Sequence, residues 1–269
     1  MIAKAQGVIW YKSALFIKKK LGDIFDSIIE EGRQIRFKAK VEFHEIFGLK
    51  FSIEDIEPSY TLGNLEMQRQ KTIEKLKNEN LLYKNQNTIL PKAIKNIAVI
   101  SSTKAAGYQD FISHIENNPY NYRFNIEFYD SSMQGNSVSK DLINNLNKIL
   151  QNISHFDCVV IIRGGGSKMD LSYFDNYDIS KNVAEFPIPV ITGIGHDIDK
   201  NIIELVAHSP LKTPIAVADY IIRYNMEFEA QILNNLNLIL NNAMNIIKNK
   251  EGELDILKTY ILNQSVSRL

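Results

Sequence analysis

A short polar stretch in the middle of the chain places an arginine, three glycines and a serine directly after an apolar run, Cys158–Ile162. An unbroken apolar run of this length, rich in β-branched residues, is typical of a buried parallel strand. Glycines let the backbone approach a ligand closely, a helix start offers free N–H groups to an anion, and arginine donates two hydrogen bonds to phosphate. The stretch therefore predicts a phosphate loop made of Arg163, Gly164, Gly165, Gly166 and Ser167.

The same stretch also fits a purely structural role. Glycines at a strand end form ordinary turns, and Ser167 with Asp170 three residues later matches a helix-capping box. One glycine-rich loop after a strand does not separate the two interpretations. The choice depends on which other reactive side chains the fold brings to the same place.

A second reactive group follows another apolar run, residues 190–194. His196, Asp197 and Asp199 come directly after it. A histidine can act as a general acid or base near neutral pH, and a carboxylate three residues later can orient it or bind a metal ion. The alternative is that the two aspartates complement the positive end of the next helix while His196 lines a turn.

Apolar runs alternate with helical patterns after Pro91, which predicts a parallel, doubly wound α/β sheet covered by helices on both faces. The predicted strands are 97–101, 124–129, 158–162 and 190–194, and the predicted helices lie near 105–116, 138–152, 170–184 and 198–207. Ligands bind such sheets outside the carboxyl ends of the strands. We therefore expect Asp110, Arg163 and His196 to face one crevice, where these groups suit phosphodiester or phosphoryl chemistry.

The chain before Pro91 begins with strand patterns at 33–45 and 49–57. In the first, Phe37, Val41 and Phe43 alternate with basic residues, so one face is expected to be core and the other basic. This predicts part of a small oligonucleotide-binding (OB) barrel, although an ordinary solvated sheet face explains the charges at least as well.

Four regions follow from these patterns. We predict a partial OB-like nucleic-acid-binding domain at 1–60, a connecting helix and linker at 61–90, the α/β catalytic domain at 91–220, and the start of a long, coiled-coil-like helical region at 221–269.

Composition narrows the class of protein. Of the 269 residues, 45% are hydrophobic and 23% charged, which excludes wholesale disorder, and the formal net charge of zero gives no global signature of nucleic-acid binding. The single cysteine, Cys158, cannot form an intrachain disulfide and favours a reducing, cytoplasmic setting. No apolar run reaches the ~18 residues of a transmembrane helix, so we expect neither secretion nor a membrane span.

Four blocks of the sequence resemble the exodeoxyribonuclease VII large subunit family. They are IAVISSTKAAGYQDF at 97–111, VVIIRGGGSKMDLSYFDN at 159–176, PVITGIGHDIDKN at 189–201 and LKTPIAVAD at 211–219. The blocks stand in the family's order, and RGGGS followed by GH-x-x-D is specific. The upstream region resembles that family's OB domain and the end resembles the start of its helical region, so the chain resembles a truncated member.

The resemblance implies a phosphodiester hydrolase that degrades single-stranded DNA from its ends. It also implies, as partners, several copies of a small helical subunit on the C-terminal helices, and it leaves room for a dimer of large subunits. Carried over residue by residue, the family's catalytic set falls on Asp110, Arg163, His196 and Asp199.

The resemblance also bears on the phosphate, and the predicted aspartates themselves suggest a cofactor. Thr213, with Pro214, matches the family's Thr-Pro block and joins the predicted phosphate-binding groups. Mg²⁺ is the candidate cofactor, with Asp110 and Asp199 as its candidate ligands. A mechanism that dispenses with the metal stays open.

The chain departs from the family beside the expected site. Ser102-Thr103-Lys104 stands where the family commonly has Pro-Thr-Gly, and His208 and Pro210 stand where it often has Asp and Arg. Two other functions stay open. One is a nucleotide-binding phosphotransferase, although no GxxxxGK[ST] loop is present. The other is a non-catalytic fragment that binds single-stranded DNA.

Overall fold

A computed structural model describes residues 5–22, 25–29, 34–45, 48–103, 105–165, 168–195 and 201–266 of the chain. The chain forms two compact units, Met1–Tyr220 and Ile221–Leu269. Both β-sheets belong to the first unit. Within the described ranges, no helix has the length and apolar character that a bilayer crossing requires.

The elements follow one another as short strands and helices. The strands are β1 (Gln6–Val8), β2 (Arg36–His44), β3 (Gly48–Glu57), β4 (Asn96–Ser101), β5 (Asn125–Asp130), β6 (Cys158–Ile162), β7 (Val190–Gly193) and β8 (Ser209–Leu211). The helices are α1 (Tyr11–Leu21), α2 (Phe25–Ile28), α3 (Pro58–Asn78), α4 (Ala106–Glu116), α5 (Val138–Gln151), α6 (Lys168–Leu171), α7 (Tyr177–Ala184), α8 (Ile202–Val206) and α9 (Pro214–Val266).

Five parallel strands form the central sheet in the order β5-β4-β6-β7-β8. The four predicted strands are confirmed to within one residue at each end. Numbered within the sheet, the order is 2-1-3-4-5, which is a doubly wound order whose switch point lies between β4 and β6. The predicted α/β class is therefore confirmed.

The fifth strand, β8, has no counterpart in the sequence prediction. It is three residues long and contains Pro210, which pairs with Thr192 of β7. Proline is tolerated there because β8 lies at the edge of the sheet, where the outward side needs no N–H donor. Because β8 is short and contains a proline, its sequence shows no strand pattern.

Helices cover both faces of the sheet. The helix α4 leads from β4 to its neighbour on one side, and α7 leads from β6 to its neighbour on the other, so right-handed connections put them on opposite faces. On the face of α5, α7 and α8 the core contains Ala98, Ile100, Val159, Ile161, Val190, Leu142, Leu146, Ile179, Val183 and Ile203. This packing is what holds the carboxyl ends of the strands in place.

The predicted helix near 170–184 is wrong in one respect, because it is broken. The helix α6 ends at Leu171, a 3-10 turn covers Ser172–Asp175, and α7 begins after Asn176. The side chain of Asn176 accepts hydrogen bonds from the N–H groups of Asp178, at 2.8 Å, and Ile179, at 3.3 Å. An asparagine in this position starts a new helix, which explains the break.

The N-terminal sheet has the order β1-β3-β2, with β1 parallel and β2 antiparallel to β3. The helix α1 packs on it through a small core that contains Ile17, Leu21, Ile53 and Ile56. The expectation that the alternating apolar residues of β2 form core is wrong at its far end, because Val41 is 63% and Phe43 75% exposed. The helix α1 reaches only part of the sheet, and nothing else in the described chain covers these two side chains.

The basic face of β2 carries its own counter-charges. Glu54 of β3 lies 3.1 Å from the ammonium of Lys40 and 3.6 Å from that of Lys38, and these contacts lower the pKa of Glu54. Arg36 approaches Glu57 at 3.5 Å. These exposed ion pairs contribute little stability, but they offset the positive charge that a DNA backbone would meet.

The second unit is the continuation of α9. Its apolar residues, which recur at helical spacing, are between 48% and 65% exposed: Ile232, Leu233, Leu236, Ile239, Leu240, Met244, Ile247, Leu254, Leu257 and Ile261. The prediction of a C-terminal helical region is confirmed. A helix with such a row does not bury its own apolar surface.

Candidate active site

Close contacts between glycines and backbone bring the ends of the strands together. A side chain at Gly107, in the first turn of α4, would come within 2.8 Å of the backbone of Gly164, which follows β6. A side chain at Gly193, the last residue of β7, would come within 2.9 Å of the carbonyl oxygen of Thr213. The loops after β4, β6, β7 and β8 therefore meet at one edge, as the sequence predicts.

Arg163 lies under this edge rather than on it. The residue is 3% exposed, and its guanidinium carbon is 6.0 Å from the centre of the Phe174 ring. Nη2 donates to Oδ2 of Asp170 at 3.3 Å, while burial lowers the pKa of the guanidinium. Among the described residues, Nη1 has no hydrogen-bond partner. Nη2 of Arg163 therefore has a fixed partner, whereas Nη1 is a donor without a partner among the described residues.

Some buried polar side-chain atoms near the carboxyl ends of the strands have no hydrogen-bond partner among the described residues. The described chain has three such side-chain atoms: Nη1 of Arg163, Oγ1 of Thr192 and Nδ2 of Asn201. They belong to the residue after β6, to the penultimate residue of β7 and to the residue before α8. Folded proteins pair nearly all buried polar groups, because an unpaired one costs about 1–3 kcal/mol. Two of the three atoms belong to the carboxyl ends of the neighbouring strands β6 and β7, which is where doubly wound sheets bind ligands.

The glycine loop is described as far as Gly165. Gly164 is half-buried against α4, and Gly165 is exposed. Gly166 and Ser167 lie outside the described residues, so the phosphate-loop and capping predictions for Ser167 stay predictions. The helix that follows, α6, has only four residues. Its dipole is therefore smaller than the sequence interpretation assumed, and Asp170 pairs with Arg163.

Asp110 is exposed on α4, one turn after Gly107. It lines a surface hollow together with His114 and Ile215. His114 lies one turn further along the helix, and its Nε2 is 2.6 Å from Oδ1 of Asp219 in α9. No hydrogen bond or ion pair among the described residues joins Asp110 to Arg163. The sequence interpretation missed His114, although its i, i+4 spacing from Asp110 indicates a shared helix face.

The other two predicted catalytic residues, His196 and Asp199, lie outside the described residues. Glu204 contacts the described residues on either side of them, Gly195 and Asn201. On one side, the carboxylate oxygens of Glu204 lie 2.8 and 2.9 Å from where a side chain of Gly195 would begin. On the other, Oε2 of Glu204 accepts the N–H of Asn201 at 2.9 Å. The sequence interpretation missed Glu204, although Asn201 and Glu204 have the spacing of a capping pair.

A second carboxylate, Asp175, contacts the start of α8. Its Oδ1 accepts the N–H of Ile202 at 2.8 Å and lies 3.9 Å from Nε of Arg69 in α3. Burial raises the pKa of Asp175 to about 6, against the hydrogen bond from Ile202 and the charge of Arg69, which lower it.

Thr213 caps the long helix. Its hydroxyl accepts the N–H of Ala216 at 3.1 Å, and Pro214 is the first residue of α9. Threonine before proline is a common helix start, because the hydroxyl satisfies a free N–H and proline needs none. The cap explains the Thr-Pro pair without a ligand, and the phosphate-binding role of Thr213 stays a prediction.

The described residues do not form a complete metal site. Among them, no three His, Cys, Asp or Glu side chains meet in a way that could hold a metal ion. Of the two candidate Mg²⁺ ligands, Asp110 stands in the hollow and Asp199 lies outside the described part. The metal prediction therefore stays a prediction.

The strand order places the chain among doubly wound α/β proteins. Residues 81–269 match the family model for the exonuclease VII large subunit. The chain belongs to the exonuclease VII large subunit family.

Relatives from several bacteria agree with this assignment. The exodeoxyribonuclease 7 large subunit of Deinococcus radiodurans is 26% identical over 273 residues, which cover 100% of this chain and 65% of the relative. That of Thermotoga petrophila is 30% identical over 239 residues (88% and 59%), and that of Clostridium botulinum strain Hall is 32% identical over 200 residues (74% and 49%). The chain spans about half to two-thirds of the length of these relatives.

Proposed function

We propose that the α/β domain cleaves phosphodiester bonds of single-stranded DNA, as the catalytic part of an exodeoxyribonuclease large subunit. One observation carries the proposal: Nη1 of Arg163 is buried directly under the edge where four loops meet, and it has no partner among the described residues. Membership of the exonuclease VII large subunit family and the names of the relatives support it.

Arg163 would hold the scissile phosphate. Asp170 fixes Nη2 at 3.3 Å, so the planar guanidinium presents Nη1 in a defined direction. In a buried site the interaction with a phosphate oxygen is stronger than in water, and it needs no reorganisation at the moment of reaction. The backbone of Gly164 and Gly165 would bind the same phosphate, together with Gly166 and Ser167, and Thr213 would contact it from the β8 side.

His196 would transfer the proton, as a general acid or base. Asp199 would orient His196 or bind a cation, and Asp110 would position the attacking water or the cation. A bound Mg²⁺ would stabilise charge on the phosphate, and Asp110 and Asp199 are the residues proposed to hold it. The mechanism assigned to the chain's own residues does not depend on that metal.

The remaining regions would serve substrate and partner. The N-terminal sheet, proposed as part of an OB-like domain, exposes Phe37 and Phe43, on which bases can stack. The exposed apolar row of α9 is proposed to bind copies of the small subunit, and a dimer of large subunits is a further proposal. A cytoplasmic location is proposed because Cys158, the single cysteine, is free and buried.

The test replaces Arg163 in the chain co-expressed with the small subunit. Arg163→Met removes the donors, Arg163→Lys keeps the charge without the planar fork, and Arg123→Met is the control. Arg123 is exposed and precedes β5, so it lies at the amino ends of the strands, away from the proposed site. Digestion of an end-labelled single-stranded oligonucleotide gives kcat and KM for each variant, and circular dichroism confirms folding.

We expect Arg163→Met to lower kcat by about 100-fold or more, which is the usual loss for one donor to a transition state. Arg163→Lys should fall between this variant and the wild type, and Arg123→Met should match the wild type. Undiminished cleavage by Arg163→Met would rule out the proposed role of Arg163. DNA binding without cleavage in the wild-type complex would instead favour the non-catalytic binding fragment.

A further inference from the structure

Two carboxylates hold the chain on either side of residues 196–200. Glu204 contacts both sides, because it lies against Gly195 and accepts the N–H of Asn201. Asp175 accepts the next N–H along, that of Ile202, at 2.8 Å. Neither carboxylate belongs to the proposed catalytic set. Their contacts are with Gly195, Asn201 and Ile202, which precede and follow the segment that contains His196 and Asp199 in the chain.

Asp175 differs from Glu204 in where it comes from. Glu204 belongs to the same helix that it caps, whereas Asp175 ends the turn that follows α6. The helix α6 is itself tied to Arg163 by Asp170. The segment from Asp170 to Asp175 therefore joins the guanidinium of Arg163 to the first N–H of α8, over six residues that include the buried Phe174.

We infer that Asp175 is a positioning residue, which fixes the start of α8, the helix that follows the proposed catalytic residues in the chain, relative to the phosphate-binding Arg163. The inference rests on the proposed function. Asp175 acts through a backbone N–H and not on the substrate. Catalysis depends steeply on such placement, since a 1 Å error can cost about 100-fold in rate.

The surroundings of Asp175 favour positioning over simple stabilisation. Its side chain is 20% exposed, and the charged groups that face it are Arg69 and Glu66 from α3 and Glu204 from α8. Burial and the two glutamates oppose its ionised form, and the pKa of about 6 reflects this. Burying a charged carboxylate costs free energy, so Asp175 adds little to the stability of the fold at neutral pH. Its hydrogen bond to α8 and the charge of Arg69 are the favourable contributions that remain.

Three substitutions test this in the complex of the chain with its small subunit. Asp175→Ala removes the acceptor, Asp175→Asn keeps an oxygen in the same place without the charge, and Asp175→Glu displaces the carboxylate by one methylene. The control is Asp157→Ala. Oδ2 of Asp157 also accepts backbone N–H groups, those of Lys95 and Asn96 at 2.7 Å, but it does so at the amino ends of β4 and β6.

We expect Asp175→Ala and Asp175→Glu to lower kcat on single-stranded DNA at least about tenfold, with KM changed less than about twofold, because the loss lies in placement and not in binding. Asp175→Asn should stay within about threefold of the wild type. Asp157→Ala should lose thermal stability but keep its kcat at a temperature where it is folded. If Asp175→Ala does not fold, the comparison of Asp175→Glu with Asp175→Asn decides.

Three results would overturn the inference: a wild-type kcat for the alanine and glutamate variants, an asparagine variant as slow as the alanine variant, or an equal loss for Asp157→Ala. Arg163→Met separates this failure from failure of the proposed function. If the proposed function is wrong, Arg163→Met retains activity. If only the inference is wrong, Arg163→Met loses activity and Asp175→Ala keeps it.

Discussion

Replacing Asp175 by asparagine should change how the stability of the protein depends on pH. The carboxyl of Asp175 has a pKa of about 6 in the folded protein, against an ordinary value of 3.8. Between these two pH values the folded protein holds a proton that the unfolded chain has released. Raising the pH through this window therefore lowers the free energy of unfolding of the wild type, and the stability present below pH 3.8 is lost by about pH 6.

The size of the effect follows from the pKa difference. At about 1.4 kcal/mol per pKa unit, the wild type loses about 3 kcal/mol of unfolding free energy across the whole window. Asp175→Asn cannot ionise and retains an oxygen that accepts the N–H of Ile202. We therefore expect the variant to gain about 2 kcal/mol relative to the wild type when the pH is raised from about 4 to about 7.5.

Urea unfolding followed by far-UV circular dichroism measures this difference at the two pH values. Asp175→Ala is the matched control, because it also lacks the titrating group but has lost the hydrogen bond as well. Both variants should show the same pH dependence relative to the wild type, and the alanine variant should be less stable at each pH. A free-energy difference between the wild type and Asp175→Asn that does not change with pH would refute the reasoning.

Substitutions at Gly107 and Thr213 test the contacts at the carboxyl ends of the strands. Gly107→Ala should cost about 1–3 kcal/mol of unfolding free energy, because its side chain would meet the backbone of Gly164 at 2.8 Å. Urea unfolding measures this cost, and the control is Gly252→Ala, where the added side chain meets no atom within 4 Å. A cost for Gly107→Ala no larger than that for Gly252→Ala would contradict the prediction. Thr213→Ala should cost about 1 kcal/mol through loss of the α9 cap, whereas Thr213→Ser should cost much less. If Thr213→Ser lowers kcat while its stability stays at the wild-type level, the threonine also serves the substrate.

Most of the central sheet could be predicted from the sequence, because buried parallel strands are continuous apolar runs bounded by turn residues. β8 could not, since three residues with a proline carry no such pattern. The break after Asp175 depends on a cap by Asn176, and the exposure of Val41 and Phe43 depends on how far α1 reaches over the sheet. An alternating pattern shows which residues share a face but not whether anything covers that face.

The candidate site was predictable to a similar degree. Strand ends identified Arg163, and the contact between Gly107 and Gly164 shows that its loop meets the start of α4, which follows β4. The burial of Arg163 was not predictable, because it depends on the packing of Phe174 above the guanidinium. Asp175 was equally hidden, since its partner is a backbone N–H 27 residues away.

The contact between Gly107 and Gly164 limits how this protein can vary. Where two backbones are in direct contact, no side chain can change its rotamer to make room for an added atom. The two glycines lie on either side of the switch point between β4 and β6. A larger residue at Gly107 would push the loop after β6 away from α4, and no neighbouring substitution could restore the distance by making room. Attempts to redesign the substrate preference should therefore vary the side chains around this contact and leave both glycines in place.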